Sequence, residues 1–127
     1  MTLPAFQQSQ TTTVGSTATS VLSRNIDREY PILNVVVTNN SESVALSEFK
    51  IYGRAKANGT QAELAAAAGD FTTPVPPVLA SGLDLTTLAA TATGFVQIDA
   101  RGFNDIEIKA KCGSSASVTL ESNASIT

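Results

Sequence analysis

Acidic side chains in the C-terminal part of the chain have the spacing that comes closest to a catalytic or metal site. Asp99, Asp105 and Glu107 lie close together in the sequence. Paired carboxylates act as acid and nucleophile in glycoside hydrolysis, and clustered carboxylate oxygens bind Ca²⁺. However, Arg101 and Lys109 are interspersed among them, and the spacing of an EF-hand is missing. The pattern therefore favours a solvated strand surface over a hydrolase centre or a calcium site.

Other kinds of catalysis lack their usual residues. The chain contains no His, which removes the commonest general base and metal ligand and excludes a Ser-His-Asp triad. Cys112 is the single cysteine. No histidine is present to activate it as a nucleophile. Because it continues the alternating row Ile106, Ile108 and Ala110, we predict that it is a small buried core residue. We predict that the chain is not an enzyme and uses no cofactor or bound metal.

The charge content restricts the partners that the surface suits. Charged residues make up 15% of the 127 residues, against about 25% in a typical domain. The surface is therefore covered by uncharged polar side chains, or part of it is hidden by a partner. A net charge of −3 without a basic stripe argues against a nucleic-acid partner. We also expect no membrane partner and synthesis in a reducing cytoplasm, because the sequence shows no long apolar segment and no signal peptide.

Three successive segments between Gly94 and Ile126 alternate apolar with polar residues. A period of two places one set of side chains on a buried face of a strand and the other set in water. We therefore predict three β-strands here. Their inward residues are Val96, Ile98 and Ala100, then Ile106, Ile108 and Ala110, then Ala116, Val118 and Leu120.

Two earlier segments also predict strands. Residues 32–38 are apolar on both faces, which is typical of a central strand. The apolar parity changes between Leu46 and Phe49, near Ser47 and Glu48. A one-residue change of parity indicates a β-bulge at this point.

One segment has the pattern of a helix. Thr60 has the position of an N-cap, Glu63 completes a capping-box spacing, and a run of alanines follows over residues 65–68. The sequence therefore predicts an antiparallel β-sandwich with one short helix near residues 60–68. We divide the chain into an N-terminal extended arm, residues 1–13, and a single β-sandwich domain, residues 14–127.

Proline and phenylalanine residues are the candidates for contact with another protein. The arm has two apolar anchors, a proline-rich loop cannot join an interior strand, and two phenylalanines fall at outward or hairpin-tip positions. For these phenylalanines, a minor apolar core on the second face is the alternative to an exposed anchor. The candidate contact residues are Pro4, Phe6, Pro74, Val75, Pro76, Pro77, Phe95 and Phe103.

Several segments together resemble small structural proteins of tailed-phage virions. The resemblance lies in residues 14–22 (VGSTATSVL), Asn25 and Arg28, the strand 33–38 with the following Asn39-Asn40-Ser41, and residues 45–51, 87–95 and 99–103. The chain is most similar to a capsid cement or decoration protein. A tail, neck or fibre component and a carbohydrate-binding host-attachment module are the alternatives.

This resemblance implies a jelly-roll-like subunit, made in the host cytoplasm and located on the capsid surface of the virion. It implies that the subunit binds the major capsid protein, stabilises the shell, and forms a homo-oligomer, with a trimer favoured. It implies no cofactor and no reaction.

Overall fold

Nine β-strands and one turn of 3₁₀ helix form the part of the chain that the computed structural model describes, which comprises residues 5–64, 78–80 and 85–126. The short helical turn is Leu85–Thr87, between β6 and β7. The strands are β1 Ala5–Val14, β2 Thr19–Asn25, β3 Ile32–Asn39, β4 Leu46–Arg54, β5 Gln61–Glu63, β6 Val78–Ala80, β7 Thr93–Asp99, β8 Asp105–Cys112 and β9 Ala116–Ser125.

The strands form two antiparallel sheets. The five-stranded sheet has the order β1-β9-β3-β7-β6, and the four-stranded sheet has the order β2-β8-β4-β5. With the short β6 set aside, the first strand pairs with the last, the second with the next to last, β3 with β7, and β4 with β5. This is the strand order of a jelly roll, a double-sheet architecture. The prediction of a jelly-roll-like antiparallel β-sandwich is confirmed.

A single apolar core fills the space between the two sheets. Burying this surface is the main favourable term in folding, at about 25 cal/mol per Å² of apolar area. The alternation predicted for the last three strands is confirmed, and Cys112 is buried as expected, at 1% exposure. The largest fully buried side chains include Phe49, Leu22, Leu33, Ile51, Leu85, Ile98, Ile106, Ile108 and Leu120.

Two finer predictions about the strands are also confirmed. β3 is central, since it pairs with β7 on one side and with β9 on the other. The register of β4 against β8 shifts between Leu46 and Glu48, where the bulge was predicted. As a result, Leu46 and Phe49 both face the core although their spacing in the sequence is odd.

The predicted helix is wrong where the structure describes it. Gln61–Glu63 forms β5, which pairs with Tyr52, Gly53 and Arg54 of β4. Asn58 adopts a positive φ of 58° in the turn between the two strands. Pairing with the open edge of β4 therefore prevails over a capping pattern that is weak in a helix this short. Residues 65–68 lie outside the described residues.

The first strand begins within the predicted arm. β1 starts at Ala5 and pairs with β9 in continuous register from Gln8 to Val14. It therefore continues across the predicted boundary between residues 13 and 14. The described part of the segment, residues 5–13, is an extended strand, and the strand to which it is hydrogen-bonded belongs to the same chain.

Gly94 is required by the packing of the 3₁₀ turn against β7. A Cβ atom at this position would overlap Leu85 Cδ2 and would contact Leu88 Cδ1 at 3.7 Å. We expect Gly94→Ala to lower the free energy of unfolding by about 1–3 kcal/mol, because Leu85 is fully buried and overpacking displaces it. Chemical denaturation measures the loss.

Gly113→Ala is the matched control, since no atom lies within 4 Å of a Cβ built there. This control is expected to change stability by less than about 0.5 kcal/mol. Equal stability of the two variants would contradict the packing described here.

Candidate functional site

The outer faces of the two sheets differ in their chemistry. The outer face of the four-stranded sheet, here called the charged face, carries ionised side chains from β4, β5 and β8. Lys111 and Lys50 lie 3.6 and 3.1 Å from the two carboxylate oxygens of Glu48. This face is therefore built from ion pairs in contact with water. Its members are Glu48, Lys50, Tyr52, Arg54, Glu63, Glu107, Lys109 and Lys111.

Neighbouring charges shift two pKa values on the charged face. The hydrogen bond with Glu48 raises the pKa of Lys50. Burial acts to raise the pKa of Glu107, but hydrogen bonds from Gln61 and Ser20 and the charges of Lys109 and Arg54 together lower it. The ammonium of Lys109 also lies 5.4 Å from the centroid of the Tyr52 ring. The charges of this face are therefore largely compensated within it.

The outer face of the five-stranded sheet is almost free of charge. We call it the hydroxyl–amide face, because hydroxyl and amide side chains occupy most of its positions on β1, β9, β3 and β7. Its members are Ser9, Thr11, Thr13, Asn34, Val36, Thr38, Thr93, Phe95, Gln97, Ser117, Thr119, Glu121, Asn123 and Ser125, with Asp99 at the end of β7.

A row of threonines crosses four strands of this face. Thr11 pairs with Thr119, Thr119 with Thr38, and Thr38 with Thr93. Thr11 and Thr119 share a hydrogen bond of 2.8 Å between their hydroxyls, and Thr38 and Thr93 share one of 3.2 Å. The β-branched side chains are stiff at χ1, so the row is held in a fixed arrangement at the spacing of the strands, about 4.8 Å.

A row of amides runs parallel to the threonines. The Asn34 amide donates to Asn123 Oδ1 at 3.0 Å and to Ser125 Oγ at 3.2 Å. Its Oδ1 accepts a hydrogen bond of 2.8 Å from the Gln97 amide. Asn34 therefore links β3 to both neighbouring strands through neutral hydrogen bonds.

Between these rows lies a mixed row that contains one carboxylate and one aromatic ring. Ser9, Glu121, Val36 and Phe95 are aligned across the sheet by register. Glu121 is exposed, and none of the ion pairs among the described residues involves it. Phe95, a predicted contact residue, lies half-buried beside Val36. The row therefore combines a small apolar patch with a single negative charge.

The other predicted contact residues fall elsewhere. Phe103 is half-buried against the core, and a Cβ atom at Gly53 would lie 2.7 Å from its Cδ1. Its ring therefore covers the glycine of β4. Phe6 lies in β1. Pro4, Pro74, Val75, Pro76 and Pro77 lie outside the described residues.

The three carboxylates do not form one cluster. Asp99 ends β7 of the five-stranded sheet, whereas Asp105 and Glu107 lie on β8 of the other sheet. Each has its own partner. Arg101 donates to Asp99 and lowers its pKa, Arg54 donates to Asp105 at 3.3 Å, and Gln61 donates to Glu107 at 2.7 Å.

The described residues contain neither a metal-binding cluster nor a membrane-spanning helix. Within residues 5–64, 78–80 and 85–126, no group of three or more His, Cys, Asp or Glu side chains could hold a metal ion. No helix in the same ranges is long and apolar enough to cross a bilayer.

Comparison with known proteins gives one structural likeness. No protein-family model matches the chain, and no curated protein matches its sequence. The chain is similar to the crystal structure of the SPBc2 prophage-derived protein YomS, with a TM-score of 0.54 and 13% sequence identity, over 98% of this chain and 100% of that one. At this identity the likeness shows a shared fold.

The hydroxyl–amide face was not recognised from the sequence, although a signal for it exists. Outward positions of β1, β3, β7 and β9 carry mostly Thr, Asn, Gln and Ser, whereas outward positions of β4 and β8 carry mostly Lys, Glu and Arg. These uncharged positions form a continuous surface only because the strand order places β1, β9, β3 and β7 side by side.

The amide row supports a prediction about stability. We expect Asn34→Ala to lower the free energy of unfolding by about 1–2 kcal/mol, because three hydrogen bonds are lost and their partners are half-buried. Ser117→Ala, on the same face, is the matched control and is expected to stay within about 0.5 kcal/mol of the wild type. Urea denaturation of both variants measures the difference, and equal stabilities would show that the amide row contributes nothing.

Glu107 supports a prediction about pH. The pKa of Glu107 is lower in the folded protein than in the unfolded chain. The ionised carboxylate therefore stabilises the folded state above the ordinary Glu pKa of about 4.3. This stabilisation is lost as the pH falls through the folded-state pKa. Glu107→Gln is therefore expected to cost up to about 1 kcal/mol at neutral pH and much less in acid. Urea denaturation across this range measures the difference, and a pH-independent difference would contradict the prediction.

Proposed function

We propose that this chain is a structural accessory protein of a phage-derived particle and that it docks on the protein shell through its hydroxyl–amide face. The observation that carries the proposal is the segregation of charge between the two outer faces. All the lysines of the two sheets, Lys50, Lys109 and Lys111, lie on the charged face. The opposite face has a single carboxylate, Glu121, among its central rows.

Loss of water explains why an uncharged face suits docking. Removing an ion from water costs several kcal/mol unless a partner compensates it, and the cores of protein interfaces are depleted of charged residues. Within the threonine row and within the amide row, side chains already form hydrogen bonds with one another. Covering them therefore breaks fewer strong contacts with water than covering the lysines would.

The partner surface must meet two requirements. It must be flat enough to cover four adjacent strands, and it must place a Lys or Arg opposite Glu121, whose charge has no ion-pair partner among the described residues. By the resemblance of the sequence, this partner is the major capsid protein, and the chain is located on the capsid surface.

The fold is consistent with this role. Jelly rolls occur in viral capsid proteins and in lectins, and the structural neighbour is prophage-derived. Mass spectrometry of purified virions from the encoding genome tests whether the chain is a particle component. Immunogold labelling then separates a shell location from a tail or neck location. Particles that lack the chain are expected to lose resistance to heat, and unchanged heat resistance would contradict the stabilising role.

A charge introduced into the face tests the docking surface itself. We expect Thr38→Lys, on the central strand of the hydroxyl–amide face, to weaken binding to depleted particles at least tenfold, about 1.4 kcal/mol, because the ammonium must lose its water. Ser23→Lys adds the same charge beside Glu107 on the other sheet and is expected to bind like the wild type. Sedimentation at limiting protein concentration measures occupancy, and equal weakening by both variants would contradict the assignment of this face.

The same face supports a second candidate function, a carbohydrate-binding host-attachment module. The half-buried ring of Phe95 lies next to the amide row, and amides can both donate to and accept from sugar hydroxyls. Binding of the isolated protein to a glycan array, lost in Phe95→Ala, would support this function over shell docking. Absence of glycan binding by the wild type would exclude it for the glycans tested.

A further inference from the structure

Sheet edges are the second surface feature with a consequence for assembly. An edge strand presents unpaired N–H and C=O groups that can pair with another chain, and proteins usually protect such edges with charges, bulges, prolines or very short strands. Among the described residues, β1 and β6 are the edges of the five-stranded sheet, and β2 and β5 are the edges of the four-stranded sheet.

Three of these four edges are protected. Within the part of the chain that the structure describes, β5 and β6 have three residues each, which is too short for stable pairing with another chain. β2 has a bulge between Ser20 and Leu22. Its Arg24 points inward and donates to Ser122 Oγ of the opposite sheet at 3.2 Å, and burial lowers the pKa of this guanidinium. β2 therefore combines two protective features, a bulge and an inward-pointing charge.

From Gln8 onwards, after a register shift between Ala5 and Gln8, the edge of β1 lacks such protection. It is ten residues long, and its pairing with β9 is regular over the seven residues from Gln8 to Val14. No charged residue, proline or glycine occurs in the segment QSQTTTV. Within the described ranges, its only strand partner is β9, so no described strand occupies its opposite edge.

We propose that β1 is a self-association edge, at which β1 of a second copy pairs antiparallel about a twofold axis at Thr11. Thr11 is the midpoint of the regular segment. The axis therefore places Thr11 opposite its own copy, Gln10 opposite Thr12, and Gln8 opposite Val14. Like charges directly opposite one another destabilise a strand pair, and this segment has none. An isologous contact requires a self-complementary surface of this kind.

The pairing also extends the hydroxyl–amide face. A twofold axis perpendicular to the sheet keeps the outer faces of the two copies on the same side. The two five-stranded sheets then form one sheet of ten strands, which is within the range of open sheets. Thr11 is the outermost member of the threonine row. The two rows therefore meet at the axis and continue as one. The proposal therefore predicts a twofold pair, whereas the sequence resemblance implies a trimer.

A disulfide across the axis tests both the contact and its register. Directly opposite residues of an antiparallel pair have Cα atoms about 4.5–5.5 Å apart, which is within the range that a disulfide bridges. We expect Thr11→Cys to form a covalent dimer on mild oxidation. The native Cys112 is 1% exposed, and oxidation of the wild-type protein measures any cross-linking through this cysteine. We also expect the wild type to sediment at twice the 13.1 kDa mass of the chain.

Ser23→Cys is the matched control, because it places an exposed thiol on the protected edge strand β2. Thr11→Cys is expected to cross-link at least about tenfold faster than this control, because pairing raises the effective concentration of the thiols. Equal rates, no cross-linking, or a wild-type monomer at high concentration would each overturn the proposal. Particles are absent from this experiment, so its failure leaves shell docking untouched.

Discussion

The shared interior of the two sheets is the constraint on which the rest of the structure depends. Because side chains alternate along a strand, a slip of one residue would turn every inward side chain outward. Phe49, Ile108 and Leu120 are all fully buried in one core, and their burial holds β4, β8 and β9 in register. The bulge of β4 keeps Leu46 on the same side. Because the inward side chains of the described strands pack in this core, the outer faces and the sheet edges are the surfaces that can contact other molecules.

The two outer faces have the same backbone geometry and opposite chemistry. One satisfies its side chains by ion pairs, such as Lys50 with Glu48, and such pairs favour a hydrated surface. The other satisfies its side chains by neutral hydrogen bonds, such as those of Asn34. Added salt weakens the first kind of contact through screening and has little effect on the second. The chain therefore has one face suited to water and one suited to burial.

Local sequence patterns predicted most of the strands. The features that they did not predict depend on pairing between strands that are distant in the sequence. The alternation in β7, β8 and β9, the central position of β3 and the bulge after Leu46 all follow from short stretches of sequence. The prediction of a helix near residue 60 was wrong because Gln61–Glu63 pairs with the edge of β4. The sequence around residue 60 contains no local signal for this pairing. The separation of Asp99 from Asp105 and the formation of the hydroxyl–amide face likewise depend on strand order.

The pairing of β1 with β9 joins the first described strand to the last. During synthesis, β1 leaves the ribosome long before β9 exists, so it has no strand of its own chain to pair with until nearly all the described residues have emerged. The five-stranded sheet is consequently completed only after β9 has left the ribosome. Contacts this distant in sequence are typical of slowly folding proteins. On neighbouring ribosomes of one messenger RNA, nascent chains expose the same unpaired segment to one another before their own sheets close.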